Sequence, residues 1–342
     1  MKAAILDSRY EEAYERFLLR QDNALFYHSL KYRNFIKDLI GCYDHYLIAI
    51  EKDTIHGVMP IMRRGGKYGD VFNSLPFFGS TGGIIAEREE AVLILINEYN
   101  SIVSGAGVAA STVIMEPIAG HCPKYTAVIG RTGHFSEITC SGNPEAYVMS
   151  MVEPSLRRDI NKAARCGITI VRDASQLDLF ADMYYDNMKI IGGKTRPDRF
   201  FGLMRKHFTV DTDYCLYMAM FEGRAIAGLL LFYYNKTAVY YIPAFIRAFG
   251  TLQPLKLAIY RAMIDSFNRG CTSWDWGITL PGRDGVLKFK KKWGAVERQY
   301  FFYCYVANEH IYNASERELR EAYGDYFYTI PFDMLNAGKN DG

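Results

Sequence analysis

The sequence predicts a mixed αβ fold made of two similar units, and three observations carry that prediction. A strand, a tight polar turn and a second strand occupy residues 45–50, 51–53 and 54–60. The same order returns at 216–221, 222–223 and 224–230, with Gly57 and Gly228 lying 171 positions apart. Each hairpin then leads into a strand-rich stretch, a long helix and an apolar strand. The third observation is the aromatic content of 26 Tyr, 21 Phe and 3 Trp, side chains that favour strands and binding surfaces. At 342 residues the chain exceeds one ordinary domain, so the expected division is 1–140 and 141–342.

The elements follow in order. In the first unit a helix is expected over about 88–104 and an apolar strand over 109–115. Between the units, Pro154 suits a first helical turn and Gly167 falls just past its end. On that short helix Leu156, Ile160, Ala163 and Ala164 face inward. Arg158, Lys162 and Arg165 recur at i, i+4 and i+7 on the outer face, with Arg157 beside them. Such density suits a phosphate or an RNA backbone; the alternative is an ordinary solvated helix face. Residues 173–208 read as two helices split by Gly192 and Gly193. The apolar run 225–246 is broken at its centre by Asn235 and Lys236, which makes it a hairpin and not a membrane span. The second long helix covers about 252–269. Pro254 opens it, Gly270 ends it, and Leu255, Ile259, Ala262, Met263 and Phe267 form its apolar stripe. A strand over 271–276 completes the second unit.

Composition excludes several functional classes. Forty Lys and Arg against 38 Asp and Glu leave a formal charge of +2, too little for strong binding to bulk nucleic acid. With 49% hydrophobic and 23% charged residues and a mean hydropathy of −0.10, a soluble globular chain is expected. Seven scattered cysteines, none within 17 residues of another, offer no zinc knuckle or redox pair and suit a reducing cytoplasm. The acidic and basic N-terminal residues, among them Asp7, Arg9, Glu11 and Glu12, are unlike a signal core, so a cytoplasmic protein without an integral membrane segment is expected. No H-E-x-x-H or G-x-S-x-G occurs, and Gly192-Gly193-Lys194-Thr195 lacks the first glycine of a phosphate-binding loop, where Met188 stands. No metal site and no permanently bound cofactor are expected.

Two stretches of the second half carry chemistry. The turn running from Arg247 through Gly250 and Thr251 leads directly into the long helix. A helix N-terminus of this kind presents backbone N–H groups and a positive dipole end to a phosphate or pyrophosphate. It resembles the coenzyme A turn of GNAT-superfamily acyltransferases, R/Q-x-x-G-x-G/A, but Leu252 replaces the last small residue. The second stretch is Trp274-Asp275-Trp276-Gly277, followed by Gly285-Val286-Leu287-Lys288-Phe289-Lys290-Lys291-Lys292-Trp293-Gly294-Ala295.

This second stretch resembles the Fem-type family, the peptidoglycan-bridge aminoacyltransferases and their relatives, through its G-[VL]-x-x-F-K-x-x-[FW]-G-A pattern. The helix bearing Arg157, Arg158, Ile160, Lys162 and Ala163 and the entry Phe26-Tyr27-His28-Ser29-Leu30 are similar to further motifs of that family, across roughly residues 20 to 305. The resemblance implies tandem GNAT-like acyl-CoA N-acyltransferase domains, each a mixed sheet flanked by helices, and transfer of an acyl or aminoacyl group to an amine. It places Phe289 and Lys290 at the acyl-donor end, with the lysine near the reacting ester; Lys290 is then expected to stabilise the oxyanion, Phe289 to shape the donor slot, and Asp275 to orient the acceptor amine or a water, or to serve as general base. Trp276 and Trp293 frame this loop, where a ring either stacks on a ligand or packs in the core. Arg157, Arg158 and Lys162 are candidates for a phosphate-bearing substrate.

The family's transfer-RNA-dependent members carry a long helical-hairpin insertion for which this chain has no room. That and the weak charge favour an acyl-CoA co-substrate over an aminoacyl-tRNA. The expected function is N-acylation of a small-molecule or glycan precursor of the cell envelope or of a polysaccharide. Alternatives are aminoacyl-tRNA-dependent extension of a peptide bridge and, in another class, a non-catalytic saccharide- or nucleotide-binding module. Oligomeric state has no signature in the sequence.

Overall fold

The computed structural model describes residues 1–77, 81–139 and 142–339, the last four of these by their backbone alone. Its contacts divide the chain into two compact units, one formed by residues 1–131 and 299–342 and the other by 132–298. The single boundary expected near residue 140 therefore gives way to two crossings, because the C-terminal stretch pairs with strands of the first unit.

The first unit opens with β1 (Lys2–Ile5), α1 (Glu11–Leu18) and α2 (Leu30–Ile40). Ser29 caps α2 by accepting from the Tyr32 N–H, and Gly41 ends it in the left-handed region. After β2 (Tyr43–Asp44) comes the expected hairpin, β3 (Leu47–Glu51) and β4 (Thr54–Met59), and then β5 (Met62–Gly66), β6 (Gly69–Asn73) and β7 (Ile85–Ala86). Helix α3 (Glu89–Val103) and strand β8 (Val108–Met115) lie within a residue or two of their predicted bounds. One sheet has the order β1-β3-β4-β7; in the other, β2, β5, β6 and β8 are neighbours. Leu95, Ile96, Tyr99 and Val103 of α3 pack with Leu47, Met59, Phe72 and Val113 as the core of this unit.

The chain passes into the second unit within β9 (Ala127–Glu137), then forms α4 (Pro144–Met151) and α5 (Pro154–Arg165). Leu156, Ile160 and Ala163 of α5 are buried as expected, but Ala164 is exposed, since the inward stripe is only one residue wide at that turn. There follow β10 (Thr169–Arg172), α6 (Leu177–Ile190), α7 (Phe200–His207) and the strands β11 (Tyr214–Phe221), β12 (Arg224–Tyr234) and β13 (Thr237–Phe245). Asn235, at φ = 50°, makes the turn between β12 and β13 that the sequence placed there. Helix α8 (Pro254–Asn268), strand β14 (Ser273–Thr279) and helix α9 (Asp284–Lys292) complete the unit, whose strand order is β10-β11-β12-β13-β14-β9. Helix α8 covers one face, burying Leu257, Ile259, Ala262 and Met263 against Leu229, Leu231 and Trp274. Helix α6 covers the other, where Phe180 lies so close to Gly228 that an added Cβ would meet its ring at 2.4 Å. Gly228 is thus needed for close approach, not for a turn.

Strand β15 (Val296–Val306) returns the chain to the first unit, pairing antiparallel with β8 from Phe301↔Met115 to Val306↔Ala110, and α10 (His310–Asn313) and α11 (Glu316–Tyr323) follow. No helix among the described residues is long and apolar enough to cross a membrane.

Candidate active site of the second unit

Strands β13 and β14 run parallel but pair only from Thr237↔Ser273 to Val239↔Asp275. Beyond that point β13 stays with β12 while β14 stays with β9, so the two strands part toward their C-terminal ends. Loss of pairing in the middle of a sheet opens a place where a ligand can reach backbone groups. The sequence causes it twice over. Tyr241 is an extra residue in the β12–β13 register, and Trp276 is extra between Asp275 and Gly277 on β14. Gly277 permits the second bulge because its φ of 70° lies in the left-handed region, and the Asp275 carboxylate accepts its N–H at 2.7 Å.

The bulge leaves the Gly277 carbonyl to accept from the Lys290 ammonium at 2.7 Å. Lys290 is only 4% exposed and Asp275 3%. Burial pushes the Lys290 ammonium down to about 8, while the nearby Asp275 charge supports it. Lys290 is therefore no part of a solvated basic helix end, whereas Lys288 and Lys291 are exposed. An ammonium held in a low-dielectric pocket with N–H bonds to spare is a ready partner for developing negative charge.

Of the two roles left open for the rings, burial gives Trp276 the core. Trp276 is 3% exposed, donates from Nε1 to Ser136 Oγ at 2.8 Å and packs against Tyr240, Trp274, Trp293 and Phe289. Burial on the α8 side makes it a core residue and leaves it no face for a ligand. Phe289 stands edge-on to Trp276 at 6.0 Å and is half-buried, so its frame is rigid while part of it stays open.

Arg247, Gly250 and Thr251 lie where the turn precedes α8, but residues Arg247–Leu252 are wound into a 3-10 helix that Gln253 ends in the left-handed region. Arg247 also borders a cleft of about 330 Å³ with Asp182, Asp186 and Asn187 of α6 and Arg224 of β12. Arg157 is tied back to the Val152 carbonyl at 3.0 Å, while Arg158 and Lys162 are exposed on α5. Among the described residues no hydrogen bond joins these three to Lys290. Among the described residues no group of three or more His, Cys, Asp or Glu side chains is placed to hold a metal ion.

One residue near the opening was missed. Arg196, in the loop between α6 and α7, has its guanidinium over Tyr241 at 4.8 Å, Phe200 at 5.1 Å and Tyr184 at 5.6 Å, and its Nε is buried with no hydrogen-bond partner. Tyr241 meets Phe232, whose register partner Val239 stands beside Asp275, so Arg196 and Asp275 share one face of the sheet. A guanidinium stacked on three rings is an anion receptor with little conformational freedom left to lose.

Comparison with known proteins agrees with this architecture. Residues 153–291 match the family model described as an acetyltransferase (GNAT) domain. Among curated proteins no sequence matches the chain. Of solved structures, FemX superposes with a TM-score of 0.73 at 15% identity, over 92% of this chain and 99% of that one. The C-terminal domain of a protein described as a lysylphosphatidylglycerol synthetase from Agrobacterium fabrum gives 0.55 at 13% identity, over 95% and 99%. A conserved protein of unknown function from Bacteroides thetaiotaomicron gives 0.59 at 8%, over 88% and 98%. The second unit thus carries the match to a GNAT acetyltransferase domain, a transferase module. More particularly, the chain has the fold of FemX over most of its length.

Proposed function

We propose that this chain is an N-acyltransferase moving an acyl group from an acyl-CoA-type donor to an amine of a cell-envelope or polysaccharide precursor. The observation that carries this reading is the buried Lys290 ammonium beside Asp275, at the point where β13 and β14 part. Attack of a neutral amine on a thioester carbonyl builds a tetrahedral oxyanion. Lys290 stabilises that charge, Phe289 bounds the donor slot, and collapse expels the thiolate, which takes up the proton lost by the amine. Asp275 keeps Lys290 charged and fixes the bulge. The turn at Arg247, Gly250 and Thr251 faces the donor's phosphates, and Arg196 takes an anionic group of the acceptor. An acyl-CoA donor places the reaction in the cytoplasm.

A second reading, transfer from an aminoacyl-tRNA, is favoured by the likeness to a protein whose name denotes an aminoacylated lipid. Thermal-shift titration with acetyl-CoA, longer acyl-CoAs and uncharged tRNA distinguishes the two. Stabilisation by CoA species alone supports the first reading, and by tRNA alone the second. No response to any donor, together with tight saccharide binding, overturns both in favour of a binding module. Arg196→Gln is expected to raise KM for an anionic acceptor about 10- to 100-fold, the worth of a charge-assisted hydrogen bond, with the donor's thermal shift unchanged. An unaltered KM would remove Arg196 from the acceptor site.

A further inference from the structure

Lys290 has a neighbour on the adjoining strand. His134 of β9 stands opposite Gly277 of β14 in the antiparallel register. The imidazole is fully buried; its Nδ1 lies 3.3 Å from Thr279 Oγ1, and its Nε2 has no hydrogen-bond partner. The Gly277 carbonyl, which accepts from Lys290 at 2.7 Å, also lies against this ring. An ammonium and a ring able to become a cation are thus gathered at a single carbonyl oxygen, away from water. Two like charges at that range repel strongly, so the site holds one positive charge and not two.

We propose that His134 is a positioning residue for Lys290, a neutral imidazole that backs the Gly277 carbonyl and leaves the single positive charge of the site on the lysine. The proposal rests on reading Lys290 as the oxyanion stabiliser. Burial first, and Lys290 second, hold the imidazole below its ordinary value. The other charges facing it are Lys291 of α9 and Glu297 of β15, which pair with each other at 2.8 Å and act on it in opposite directions. Acidification that protonates His134 sets a second cation beside Lys290, displaces the ammonium from Gly277 and repels an amine-bearing acceptor. Transfer is lost on the acid side for that reason, separately from any loss on the alkaline side.

Nuclear magnetic resonance titration of the full chain, with ring-labelled histidine, reads this without a substrate. The His134 signals are expected to titrate below the ordinary histidine range and to show a second inflection at about 8 as Lys290 loses its charge. Lys290→Met raises the first inflection and removes the second, whereas Lys290→Arg keeps the first low. A His134 titration without the second inflection, or one indifferent to Lys290→Met, overturns the proposal; the wild-type inflection decides if the methionine variant does not fold. Donors that fail to bind would overturn the acyltransferase reading while leaving this coupling in place. Intact transfer with no coupling overturns the present inference alone.

Discussion

Replacing Lys290 with alanine is expected to lower transfer by at least about 10²- to 10³-fold, the usual cost of losing an oxyanion donor, while the protein stays folded. The pH dependence gives the role of the group and not only its importance. Lys290 is pushed down to about 8, so a rate that needs the ammonium falls as pH rises through about 8. A rate that needed the free amine would rise there instead. Lys290→Arg should retain part of the activity and move the alkaline limb out of range, because a guanidinium stays charged. Stability runs the other way. Burial disfavours the charged lysine, so its cost to the fold is present in full below about 8 and is relieved as pH climbs toward the ordinary lysine value. Turnover of the alanine variant equal to the parent would end the assignment.

The second large effect is on stability. Trp276→Ala should cost about 3–5 kcal/mol, because it empties an aromatic cluster and leaves the buried Ser136 hydroxyl without the indole donor. Chemical denaturation that shows less than about 1 kcal/mol of loss would mean that the ring is not packed and stands free for a ligand. The contrast with Lys290 is useful. One residue of this loop is expected to remove activity with the fold intact, and the other to weaken the fold itself.

The hairpins, the two long helices and the central basic helix were legible in the sequence because their signals are local: alternation, Pro254 and Pro154 in first turns, Gly270 and Gly167 past the ends. Lys290 could be singled out among four lysines only through a motif, and its burial was not visible, since that depends on the Trp276 bulge and the turn of Gly277. The core place of Trp276, left open beside a ligand role, was not visible either, since it depends on the bulge that brings the indole to Ser136. His134 and Arg196 left no signal at all. The first acquires its neighbours through the register of β9 with β14, and the second through rings drawn from α6, α7 and β13. The two crossings between units were hidden for the same reason, being fixed by the pairing of β15 with β8.

That pairing has a consequence for synthesis. All of residues 132–298 are made before the part of β15 that pairs with β8, so the unit bearing Lys290 has its whole chain while the N-terminal one still waits for a strand. Through that interval β8 presents an unpaired edge of apolar backbone, the kind that other nascent chains can adopt as a template. A premature stop just after residue 298 would therefore spare the unit bearing Lys290 and strike its N-terminal neighbour. The protein's exposure to aggregation is greatest before β15 is in place.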